Sequence, residues 1–174
     1  MLRSTLFTPL RGLQLFAALS LLLGLEGRAS AGWFLTDGLE PPTGWFFDGD
    51  GGHSGGFTTA SYLSYSHSAK ISSSGGGWSA VGRVVNIASF SRPCDAEIFV
   101  KSVNASQSVS LEVIDPATWT YVSLTSVTIS SGAYRFISAN GWTVAPYSDV
   151  VIRVAIGGPG TRAAYVDDLT VWCG

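Results

Sequence analysis

The sequence predicts an all-β protein, a jelly-roll-like sandwich of two antiparallel sheets. Two observations lead to this class. Between Trp33 and Trp172 apolar and polar residues alternate with period two, and no window keeps the i, i+3, i+4, i+7 spacing of an amphipathic helix. The alternating runs are short and separated by clusters of Gly, Asn, Asp and Pro, with no Pro-rich spacer, charge run or internal repeat to divide the chain.

Taken in order, residues 1–31 read as a secretory signal. Arg3 and Arg11 precede the uncharged apolar run Leu13–Leu25, and Ala29-Ser30-Ala31 supplies a small-x-small cleavage pattern. The run falls short of the ~20 apolar residues of a bilayer-spanning helix, so no membrane span is expected after cleavage. Residues 32–174 are then expected as one sandwich domain, secreted to an extracellular or periplasmic space.

Within that segment Asp95–Val103 places Ala96, Ile98 and Val100 on one face and Glu97, Phe99 and Lys101 on the other. Gln107–Ile114 sets Val109, Leu111 and Val113 against Ser108, Ser110 and Glu112. Asp149–Ile156 turns Val150, Ile152, Val154 and Ile156 inward and leaves Arg153 on a wetter face. Thr118–Ile129 is β-branched and aromatic, which suits a strand pair or one bent strand. Turns are expected at 49–56, 72–77, Asp115-Pro116, Ser131-Gly132, Asn140-Gly141 and 157–160. The stretch Asp48–Gly56 is the most loop-like and needs something to tie it down.

The segment after the signal carries seven basic and eleven acidic side chains, a net charge of −4 with histidine neutral. That balance lacks the electrostatic footprint of a nucleic-acid binder. Its two cysteines, Cys94 and Cys173, most simply pair in an oxidising compartment, which would stabilise the fold by roughly 4.5 kcal/mol in the chain-entropy model. Two free or intermolecular thiols are the alternative.

Four motifs in order resemble a known family. They are Thr36-Asp37-Gly38-Leu39-Glu40 with Gly44-Trp45; His67-Ser68-Ala69-Lys70-Ile71 with Trp78 and the strand 81–87; Tyr134–Thr143; and Ala164–Trp172 with its Asp167-Asp168 pair. Together they look like the galactose-binding-like β-sandwiches of carbohydrate-binding modules from bacterial glycanases, the type grouped with cellulose- and xylan-binding modules. Asp37 and Leu39 depart from the family's usual Asn and Phe, and no catalytic neighbour is present in this chain.

The resemblance implies a structural Ca²⁺ held by Glu40 with Asp167 or Asp168, chemistry that six to eight hard oxygens would satisfy. It also implies that Trp45 and Trp78 pack the core, and that the partner is a polysaccharide or other glycan. Asp48-Gly49-Asp50 resembles the start of an EF-hand loop, but Thr59 stands at the twelfth position, where the acidic ligand belongs.

Sugar recognition in water uses flat aromatic faces with planar hydrogen-bonders beside them. Trp119 and Tyr121, directly after the Asp115-Pro116 turn, are the expected platform, with Trp142 and Tyr147 lining the same groove; ordinary core or edge aromatics are the alternative. The leading expectation is a non-catalytic, lectin-like secreted domain. A structural or adhesive surface protein competes with it, since one fold hosts many roles. A small secreted hydrolase would need a carboxylate pair such as Glu97 and Glu112, whose separation the sequence leaves open, and no nucleophile elbow or H-E-x-x-H motif occurs.

Overall fold

The computed structural model describes residues 33–41, 44–87, 93–104, 106–130 and 132–174; the expected signal segment lies outside them. Eleven strands follow one another in this part: β1 (Trp33–Asp37), β2 (Trp45–Gly49), β3 (Ser54–Thr58), β4 (Ser68–Ser73), β5 (Trp78–Ile87), β6 (Cys94–Ser102), β7 (Gln107–Asp115), β8 (Thr120–Ile129), β9 (Arg135–Trp142), β10 (Ser148–Gly157) and β11 (Arg162–Cys173). Among the described residues no helix is long and apolar enough to cross a membrane.

Every pairing is antiparallel. The first sheet runs β3-β4-β11-β6-β9, with β1 pairing β11 as well. The second runs β2-β5-β10-β7-β8. The long β11 is shared lengthwise along one edge: its first half, Arg162–Val166, pairs β4, and its second half, Leu169–Cys173, pairs β1. The first and last strands therefore meet.

Alternation along the strands explains the layering. In β6 every second residue from Cys94 to Ser102 is buried, and the intervening side chains face out. Ile71, Ile98 and Leu169 from the first sheet meet Val81, Leu111 and Ile152 from the second in one core. Cys94 and Cys173 are direct partners in the β6–β11 register and form the disulfide. Asp37 of β1 reaches across the sandwich to an ion pair with Arg83 of β5, an inward-facing arginine opposite Trp45.

Two expected turns differ. Asn140-Gly141 is not a hairpin but an irregularity inside β9, where Ala139 pairs Ala96 and Trp142 pairs Cys94, with Gly141 at φ 69°. The glycine-rich stretch after Asp48 is a turn only at residues 50–53, because Ser54–Thr58 form β3. Thr120–Ile129 is one strand, bent where the β7–β8 register shifts beside Tyr121.

Candidate functional site

The outer face of the second sheet carries a cleft, and its floor follows from residue size. Outward-facing positions of β5, β10 and β7 include Ala80, Gly82, Ala155, Gly157 and Ser110, paired side by side in the register. A lane of small side chains across three strands leaves a trough, and larger residues at its margins become walls. Its volume is about 470 Å³. Trp78 stands on one side, 37% exposed, and Tyr121 on the other, 55% exposed.

Charge is concentrated at the centre. Glu112 and Arg153 are direct partners between β7 and β10, and Arg153 Nε donates to Glu112 Oε2 at 2.6 Å. Ser110 Oγ donates to the other oxygen, Oε1, at 2.7 Å. The Arg153 guanidinium also lies 5.3 Å from the centre of the Trp78 ring, a cation–π contact that braces one side of the indole. Asp48 of β2 completes the row, its Oδ2 at 3.9 Å from Arg153 Nη1. The site thus joins two aromatic walls, serine hydroxyls and a buried carboxylate–guanidinium pair, the composition that recognises hydroxyl-bearing rings.

Of the residues expected to form an aromatic platform, Tyr121 lines this cleft. Trp119 and Tyr147 are exposed, but they stand outside it: Trp119 in the β7–β8 turn and Tyr147 just ahead of β10, both at positive φ. Trp142 is 4% exposed and belongs to the core, so it offers no ring to a ligand. Trp78, expected in the core, is instead a cleft wall, whereas Trp45 is buried as expected. Glu97 faces outward from the first sheet and Glu112 outward from the second, so these two carboxylates lie on opposite faces and cannot flank one glycosidic bond.

The acidic residues of the family-like motifs gather around a different structure, the loop 61–67 between β3 and β4. Glu40 Oε1 accepts the backbone N–H of Ser66 at 2.7 Å and of His67 at 2.6 Å. Its Oε2 accepts the Ser66 hydroxyl at 3.0 Å and meets His67 Nδ1 at 2.7 Å. Burial pushes the Glu40 carboxyl upward, but these four donors outweigh it and hold it at about 2. Asp167, fully buried, accepts Leu63 N–H through Oδ2 at 2.5 Å and Asp168 N–H through Oδ1 at 2.9 Å. Burial and the neighbouring Asp168 charge raise its carboxyl to about 6 against the pull of the Leu63 N–H. Ser64 Oγ donates to Asp168 Oδ1.

These contacts test the calcium that the resemblance implies. A Ca²⁺ cage needs six to eight oxygens turned toward one point. Here both oxygens of Glu40 and both of Asp167 already receive N–H or O–H donors from the loop or its neighbours. Among the described residues no three acidic, histidine or cysteine groups converge. In this arrangement Glu40 and Asp167 fasten the loop through hydrogen bonds. Among the described residues, three of the five non-glycine residues at positive φ, Leu39, Tyr65 and Asp168, lie at this corner.

No protein-family model matches the sequence, and no curated protein matches it. Solved structures do. The CBM22-1 xylan-binding domain of Xyn10C from Paenibacillus barcinonensis superposes with a TM-score of 0.63 at 13% identity, over 83% of this chain and 97% of that one. The family 11 carbohydrate-binding module from Clostridium thermocellum, solved with a β-1,3-1,4-mixed-linked tetrasaccharide, gives 0.59 at 13% identity, over 80% and 94%. TmCBM61, solved with β-1,4-galactotriose, gives 0.55 at 11% identity, over 75% and 88%. The likeness is one of fold: this chain has the β-sandwich fold of carbohydrate-binding modules.

Proposed function

We propose that the chain is a secreted, non-catalytic glycan-binding domain, with its ligand in the cleft on the second sheet. The observation that carries this reading is the placing of Trp78 and Tyr121 on either side of the Glu112–Arg153 pair. A sugar ring in the trough would lay an apolar face on an aromatic wall while its hydroxyls exchange hydrogen bonds with Glu112, Arg153 and the serines. Trp119 and Tyr147 lie toward the end of the sheet away from Trp78, since Tyr147 precedes β10 and Trp78 pairs with its last residue. A longer chain leaving the cleft along the strands would pass them.

The leader-like residues 1–31, the disulfide and the fold's modules all favour secretion. What supports the non-catalytic reading is the fold, which is that of carbohydrate-binding modules.

Affinity electrophoresis and calorimetry on soluble β-glucans, xylans, galactans and acidic polysaccharides test the proposal. Binding is expected to at least one of them, and Trp78→Ala or Tyr121→Ala should each weaken it by roughly 30-fold, the effect of removing an aromatic hot spot. No binding to any of them, or binding untouched by both substitutions, would overturn it.

A further inference from the structure

A cleft that holds a glycan also selects its charge. Arg153 is the one basic side chain among the residues lining the trough. It is committed on three sides: to Glu112 at 2.6 Å, toward Asp48 at 3.9 Å and against the Trp78 ring at 5.3 Å. Glu112 is buried, and Asp48, from the adjoining strand β2, is partly open to solvent. The group holds two carboxylates and one guanidinium, so it is net negative, and its only cation is already neutralised.

We infer that the cleft takes uncharged, hydroxyl-bearing glycan chains and excludes uronate-bearing ones, with Glu112 and Asp48 as the specificity-determining residues. This rests on the reading of the cleft as the glycan site. The carboxylate of a uronic acid entering the trough meets the Glu112 carboxylate in its lining, with that of Asp48 behind it beside Arg153, and no unpaired cation; repulsion of that kind is how interfaces reject wrong ligands. A neutral ring meets the same carboxylates as hydrogen-bond acceptors, with Ser108, Ser110 and Ser126 in the same lining as donors or acceptors.

The test compares wild type, Asp48→Asn and Glu112→Gln on neutral probes (mixed-linkage β-glucan, unsubstituted xylan, β-1,4-galactan) and acidic ones (polygalacturonate, alginate). Wild type should bind a neutral probe with an affinity that is nearly unchanged from low to high salt, because no net charge is exchanged. It should bind the acidic probes at least about tenfold more weakly. Either substitution frees part of Arg153 and should raise affinity for the acidic probes by roughly tenfold, in a salt-sensitive way. Asp48 is the more open position, so Asp48→Asn carries the test if Glu112→Gln fails to fold. Equal binding of wild type to neutral and acidic probes would overturn the selectivity while leaving glycan binding intact; binding to neither class would overturn the glycan reading itself.

Discussion

Trp78 and Asp50 hold each other by two hydrogen bonds: Trp78 N donates to Asp50 Oδ2 at 3.0 Å, and Asp50 N donates to Trp78 O at 3.3 Å. The same carboxylate accepts Gly52 N–H through Oδ1 at 3.3 Å. A Cβ at Gly77 would stand 2.2 Å from the Asp50 carboxylate and would push it aside. The turn that needed tying down is therefore fastened to the residue that walls the cleft.

Asp50→Ala should loosen Trp78 without unfolding the sandwich. It removes a charge-assisted hydrogen bond of the kind that contributes about 1.5–3 kcal/mol, and the strand pairing of β5 stays in place. Amide exchange at Trp78 should speed up by at least about tenfold, with acrylamide reaching the indole more readily and the thermal midpoint lowered by several degrees in a transition that stays cooperative. Gly77→Ala should reproduce the effect by displacing the carboxylate. Unchanged exchange in both variants would mean that Arg153 and the β5 ladder suffice to place the ring.

A second prediction concerns the bridge between the sheets. Asp37 departs from the Asn usual in the resembling family, and the structure gives the reason: its carboxylate pairs with Arg83 on the opposite sheet and also accepts Leu39 N–H at 2.8 Å. Arg83 faces the interior, so Asp37→Ala strands a cation there and should destabilise the fold by about 3 kcal/mol. Asp37→Ala combined with Arg83→Met should recover much of this, because the uncompensated charge is gone. Urea denaturation of the two variants checks the difference; equal losses would show that the pair matters only for packing.

The fold was legible because alternation was clean in the strands that build it. β6, β7 and β10 bury the residues that their period-two pattern assigns inward, and the two cysteines pair with each other. The site was less legible, and two tryptophans show why. In β9 the irregularity at Asn140-Gly141 shifts the pattern by one residue after Ala139, so Trp142, which would face outward on a regular strand, turns into the core. In β5 the run Val84-Val85 hides the alternation, and only the register with β10 reveals that Trp78 shares the outward face with Ala80 and Gly82. Glu112 and Arg153 both face away from the core, as the alternation predicts, although Glu112 is buried there by its neighbours. Their adjacency depends on strand order, which lies in no local pattern.

The third prediction follows from the loop at 61–67. Both oxygens of Glu40 and of Asp167 already accept hydrogen bonds, so EDTA should shift the thermal midpoint by less than about 1 °C, and added calcium should not raise it. Glu40→Gln should lower the midpoint, since one acceptor oxygen becomes a donor facing the N–H and O–H groups of Ser66 and His67. A clear fall on chelation, restored by calcium, would show that the loop rearranges to turn these oxygens onto an ion.

The same two carboxylates should shape the acid limb of the stability curve in opposite directions. Glu40 titrates at about 2 in the folded chain against an ordinary 4.5, so its contribution is whole above pH 4.5 and is lost as the pH falls from there toward 2. Asp167 titrates at about 6 against an ordinary 3.8; the folded chain holds that proton more tightly, so its contribution is whole below pH 3.8 and is lost as the pH rises through 6. Measured in EDTA, wild type should therefore gain stability from Asp167 on acidification from neutrality toward about pH 4.5, and lose the Glu40 contribution below it. Asp167→Asn should flatten the first limb and Glu40→Gln the second. If Asp167→Asn leaves the slope between pH 4 and 6 unchanged, Asp167 is already ionised in that range, and its burial among the loop amides is stabilising rather than costly.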